Sequence, residues 1–131
     1  DATSGWYNQG NDLISIHKYI LPIKMPKINK AVALTEFGGY SLAIKDHTYS
    51  KKTFGYLVYK KLSSLNKAID KLYKKQVFKA KEKGLNACIF TQLTDVEEEI
   101  NGLITYDREI VKIDTNMLRT INEKLTKGNN E

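Results

Sequence analysis

Residues 31–35, A-V-A-L-T, form an unbroken run of small and apolar side chains. A strand with one wet face alternates apolar with polar residues. A run without that alternation fits a strand covered on both faces, as in a parallel sheet. A second such run, N-A-C-I-F-T, occupies residues 86–91. Between them lies a helical stretch that Ser63 or Ser64 can cap and that ends at Gly84. Its apolar residues, Leu65, Ala68, Ile69, Leu72, Tyr73, Val77 and Ala80, recur at three- and four-residue spacing and form one stripe. Strands joined through a helix in this way pair in parallel, so the expected fold class is α/β.

The flanking segments extend that pattern. Residues 13–20, L-I-S-I-H-K-Y-I, alternate well enough to form a strand, and Pro22 and Pro26 then interrupt the chain. A loop rich in Lys, Thr and Tyr follows Gly38 and Gly39, and an acidic loop runs from Gln92 to Glu99. Asp114 can cap a last helix carrying Leu118, Ile121 and Leu125, and residues 127–131 form a polar tail expected to be disordered. No repeat or linker divides the chain, so residues 1–131 are expected to form a single unit. The length and the 41% hydrophobic content suffice for a real core. About three strands, with a trace of a fourth before Trp6, are too few to close a barrel, so the pattern is that of part of a larger domain.

Charge and cysteine content narrow the function. The formal charge of +6 invites a nucleic-acid reading, but its distribution opposes it. Residues 51–84 hold eleven lysines against Asp70 and Glu82, a local excess of nine, which leaves the rest of the chain at −3. The only arginines are Arg108 and Arg119, whereas base reading and phosphate clamping favour the planar guanidinium. A Lys-rich solvated helix face is the expectation. One cysteine, Cys88, excludes an internal disulfide and any multi-cysteine metal site. No apolar run is long enough for a transmembrane helix, and no basic-apolar-small leader is present. The expected compartment is the cytoplasm, with no membrane or nucleic-acid partner and no cofactor. The acidic run D-V-E-E-E at 95–99 lacks the spaced pattern of a calcium loop and is expected to be a charged loop, not a metal site.

Polar and aromatic groups sit at the same relative place in all three strands: His17 and Tyr19, then Thr35 and Glu36, then Thr91, Gln92 and Asp95. In parallel α/β folds the carboxyl ends of the strands gather on one rim, where active sites are built. Glu36 directly after a buried run loses solvation, which a chain tolerates where the carboxylate has a job.

Four segments resemble glycoside hydrolase family 2, the clan of β-galactosidases, β-glucuronidases and β-mannosidases. T-E-F-G-G at 35–39 is similar to the family's nucleophile strand, the seventh of its barrel. N-G-L-I-T-Y-D-R at 101–108 resembles the N-G-L-V-x-x-D-R segment downstream of the eighth strand, and T-Q-L-T-D-V at 91–96 resembles that strand's end. I-H-K-Y at 16–19 resembles the sixth strand, and D-A-T-S-G-W at 1–6 would end the fifth. The resemblance spans about residues 1–115. It implies a partial (β/α)8 TIM barrel, roughly strands 5–8 with their helices.

It also implies chemistry. Members are retaining β-glycosidases, in which one carboxylate attacks the anomeric carbon and a second, roughly 5–5.5 Å away, acts as acid and then base. Glu36 matches the nucleophile, and Tyr19 the tyrosine that donates to it. His17 would contact sugar hydroxyls, and Gln92, Asp95 and Asn101 would line the sugar subsite. Trp6 would stack on a sugar face. The chain departs from the family in two respects. The acid/base glutamate of an Asn-Glu pair is missing, since Asn122-Glu123 and Asn130-Glu131 do not follow strands, and Thr91 replaces the usual tryptophan. The chain is therefore expected to be a fragment of a retaining β-glycosidase, either an expressed piece or a truncated gene product. Alone it should be inactive and prone to self-association through open barrel edges. The rival expectations are a non-catalytic carbohydrate-binding remnant and a Lys-rich nucleic-acid-binding module.

Overall fold

The computed structural model describes residues 12–127. Strand β1 (Leu13–Lys18) lies beside β2 (Ala31–Gly38), which lies beside β5 (Leu85–Thr91). Both pairings are parallel. A two-rung parallel ladder joins β3 (Tyr40–Ser41) to β4 (Leu57–Val58). Helix α1 (Leu62–Leu72) continues through a π-helical turn at Tyr73–Val77 into α2 (Phe78–Glu82), and α3 (Thr115–Thr126) closes the described chain. Among the described residues no helix is long and apolar enough to cross a membrane.

The apolar stripe explains the docking of the long helix. Leu65, Ile69, Leu72, Tyr73, Val77 and Ala80 are buried against Val32, Leu34, Phe37 and Leu85 of the sheet. Phe37 is fully buried, with its ring edge-on to both Tyr73 and Phe90. The start of the helix differs from expectation. The cap position is Lys61, with no side-chain cap bond, and both serines fall inside the first turn. Burial of Leu65 and Ile69 sets where the helix begins, and the exposed serines contribute no cap. Asp114 does cap α3, accepting from the N–H groups of Asn116 and Met117 at 3.0 Å each. Asn66 of α1 fastens that corner, donating to the carbonyl of Lys112 and accepting from the N–H of Asp114.

The sheet is not covered evenly. Ile14, Ile16, Val32, Leu34, Phe37 and Leu85 belong to the helix-side core. On the opposite face Ala31 and Ala87 are exposed, and Ile89 is 59% exposed. The continuous apolar run at 86–91 therefore does not lie between two packed layers among the described residues, because the helices pack against one face.

The pairing register contains the feature that matters most for the site. Ile16 is opposite Leu34, yet the next residue, His17, is opposite Glu36, so β2 carries one extra residue there. The pairing of β2 with β5 also slips between Leu34 and Phe37. Strict alternation would put residue 36 on the core side with Val32 and Leu34. The bulge puts Phe37 there instead and turns Glu36 away, leaving its side chain 42% exposed.

Candidate active site

Because the three strands are parallel, their carboxyl ends fall on one edge of the sheet. β1 delivers His17 and, just past its end, Tyr19. β2 delivers Glu36 from the bulge, and β5 ends at Thr91. The N–H of Gly39 donates to the carbonyl of Thr91 at 3.1 Å, which ties the end of β2 to the end of β5. The peptide bond between Thr91 and Gln92 is cis.

Glu36 is held through one oxygen. The Tyr19 hydroxyl donates to its Oε2 at 2.5 Å, and His17 Nδ1 lies 3.2 Å from the same atom. Among the described residues Oε1 takes no hydrogen bond and no cation. Burial pushes the Tyr19 phenol well above its ordinary range, and the bond to Glu36 raises it further, while Thr91 pulls the other way. Tyr19 is therefore a firm donor at neutral pH, and the carboxylate is oriented by neutral or titratable groups. The ring of Tyr19 stacks on Tyr56 with centroids 4.5 Å apart. Gly39, at φ +66°, faces both rings, and a Cβ there would sit 2.8 Å from each. Both the left-handed backbone and the close approach call for glycine at this position.

Gln92 and Asn101 meet each other one step further out. Gln92 Nε2 donates to Asn101 Oδ1 at 2.7 Å and to Glu99 Oε2 at 3.2 Å. Asn101 is buried, and its carbonyl accepts from the N–H of Gln92. Asp95 has a different situation. Its side chain is 1% exposed, and its two oxygens accept from Lys112 Nζ at 2.7 and 3.0 Å. The N–H of Gly102 donates to it as well, at 2.8 Å. Lys112 also donates to the carbonyls of Leu42 and Ile100, so one fully buried ammonium fastens three loop segments. Burial pushes the Asp95 carboxyl up and the Lys112 ammonium down, and their attraction for each other opposes both shifts. Placed this way, Asp95 braces the loops and presents no open face to a ligand. Trp6 lies outside the described residues.

Sequence reading did not single out Tyr56 or Lys112. Tyr56 sits in K-T-F-G-Y, where nothing in the pattern marks one aromatic for the rim. Lys112 sits in V-K-I-D, where a lysine between apolar residues normally reads as the solvent side of a strand; only the tertiary pairing with Asp95 reveals its burial.

A carboxylate with one oxygen anchored and the other unbonded among the described residues, next to a stacked aromatic pair and a backbone cleared by glycine, can bind a hydroxylated ligand or attack an electrophilic carbon. No family model and no curated protein matches this chain.

Proposed function

We propose that this chain carries the nucleophile side of a retaining β-glycosidase site of the family 2 type, and that β1, β2 and β5 are neighbouring strands of its (β/α)8 barrel. The observation that carries this reading is the Glu36 carboxylate, turned onto the rim by a bulge and anchored at Oε2 by Tyr19, with no bond to Oε1 from the described residues. In the first step Oε1 attacks the anomeric carbon as the bond to the leaving group breaks, giving a glycosyl ester on Glu36. Tyr19 keeps the attacking group oriented through its bond to Oε2. His17, Gln92 and Asn101 would meet sugar hydroxyls, and Asp95 would act through Lys112 on the loop that carries Gln92 and Asn101.

The two-carboxylate mechanism needs a general acid, usually worth about a hundred- to ten-thousand-fold. Asp95 is committed to Lys112, and Glu99 is bonded to Gln92. Turnover of unactivated glycosides by this chain alone should therefore be absent. An activated substrate removes that requirement. With a 2,4-dinitrophenyl 2-deoxy-2-fluoro-β-glycoside, the aglycone departs as the phenolate without needing a proton, and the fluorine slows hydrolysis of the ester. The chain, or a longer protein containing it, is treated with galactoside, glucoside, glucuronide and mannoside forms, digested and analysed by mass spectrometry. The expected result is one sugar on the peptide bearing Glu36, absent in Glu36→Gln. Sugar binding without labelling would instead favour a carbohydrate-binding remnant.

A further inference from the structure

His47, Asp107 and Glu109 converge from two separate segments. His47 lies between β3 and β4, and the two carboxylates lie on the turn that follows Thr105. The potential donor atoms, one per residue, all lie within 4.8 Å of one another. His47 Nδ1 is 2.7 Å from Asp107 Oδ2 and 3.8 Å from Glu109 Oε2.

We propose that His47, Asp107 and Glu109 form a binding site for a divalent transition-metal ion of the zinc class, which ties the segment after the Glu36 strand to the 105–109 turn. The donor set supports that class. One imidazole with two carboxylates suits zinc and its neighbours, whereas magnesium and calcium favour oxygen alone. The spacing supports it too. Zinc–ligand bonds of about 2.0–2.2 Å in a tetrahedron set donor–donor separations near 3.3–3.6 Å. The two separations from His47 straddle that range and the third is no more than 4.8 Å, so side-chain adjustment of the exposed Glu109 would be needed to bring all three donors onto one ion, with water in the fourth place.

The surroundings orient the ligands. Asp107 Oδ1 accepts from the Thr105 hydroxyl at 2.6 Å and from the N–H of Glu109 at 3.1 Å, so only Oδ2 is turned toward His47. Thr105 is itself fully buried, and its hydroxyl also accepts from the N–H of Ile110. Arg108, at φ +65°, makes the turn that brings residues 107 and 109 to the same side. A carboxylate fixed through its other oxygen by a buried hydroxyl is a common outer-shell arrangement at metal sites. The Glu109 side chain, 70% exposed, leaves the approach open to a hydrated ion.

The test uses the chain stripped with chelator and titrated with zinc chloride by calorimetry, with cobalt(II) absorption as a second readout. The chain has only two histidines, so His17 and His47 can be separated cleanly. The expected result is one zinc per chain, unchanged in His17→Ala. His47→Ala and Asp107→Asn should each weaken it by more than a hundredfold. Thr105→Val, which removes the orienting hydroxyl together with its bond from the Ile110 N–H, should cost about ten- to a hundredfold. Circular dichroism identifies any variant that fails to fold, and His47→Gln then replaces His47→Ala. No saturable uptake of zinc, uptake indifferent to both His47 variants, or uptake lost in His17→Ala would overturn the proposal.

Discussion

Glu36 and Asp95 are two carboxylates from neighbouring parts of the fold, one at the end of β2 and one in the loop after β5, and they live in opposite conditions. Asp95 is fully buried and saturated, with Lys112 on both oxygens and a backbone N–H besides. Glu36 is partly exposed, with a tyrosine and a histidine on one oxygen and none of the described residues bonded to the other. A cation that neutralises a buried carboxylate makes it a brace and removes it from chemistry. A phenol that orients a carboxylate without neutralising it leaves a reactive lone pair. Position at or just past a strand end therefore does not distinguish a reactive carboxylate from a brace, but the partner does.

The largest effect should come from breaking the brace. Lys112→Met leaves Asp95 charged and unpaired inside the loops and should cost about 3–5 kcal/mol in chemical denaturation. Replacing both, as Asp95→Leu with Lys112→Met, should recover most of that loss. A double variant as unstable as the single one would show that the pair contributes more than mutual neutralisation.

A smaller loss is expected at the rim's tightest turn. Gly39→Ala forces a Cβ toward the Tyr19 and Tyr56 rings in a left-handed backbone and should cost about 1–2 kcal/mol. Labelling of Glu36 should slow with it. Unchanged stability and labelling would mean that the stacked pair does not depend on this close approach.

The Tyr19–Glu36 bond predicts a pH signature. The Tyr19 phenol in the folded chain lies above its unfolded value near 10. Its contribution to stability is therefore complete below about pH 10 and is lost as pH rises through the folded value. Tyr19→Phe should reduce the fall in melting temperature above pH 10 and leave the curve from pH 6 to 9 parallel to wild type. An identical alkaline slope in both would break the assignment. The smallest effect is on Glu36 itself. Glu36→Gln retains an acceptor for Tyr19 at a partly exposed site, so stability should move by no more than about 0.5 kcal/mol.

Much of the scaffold was legible because burial writes itself into spacing. The runs at 31–35 and 86–91 became β2 and β5, and the stripe from Leu65 to Ala80 became the long helix. The Asp114 cap was legible for the same local reason, since an aspartate before an apolar stripe has few other uses. The bulge at Thr35 and Glu36 was not, because register slips arise between strands and leave no mark in either one. The serine caps failed because packing of Leu65 and Ile69 outweighed a local hydrogen bond. Asp95 read as a rim residue because its partner, Lys112, is seventeen positions away and looks like a surface lysine.

On the proposed reading Glu36, unlike Asp95, can form a bond to carbon. Trapping with the activated 2-fluoro-β-glycosides tests it directly, by peptide mass spectrometry on wild type, Glu36→Gln and Asp95→Asn. The expected result is a single sugar on the peptide bearing Glu36 in wild type, retained wherever Asp95→Asn remains folded and lost in Glu36→Gln. A sugar on any other carboxylate, or no adduct from any member of the panel, would contradict it.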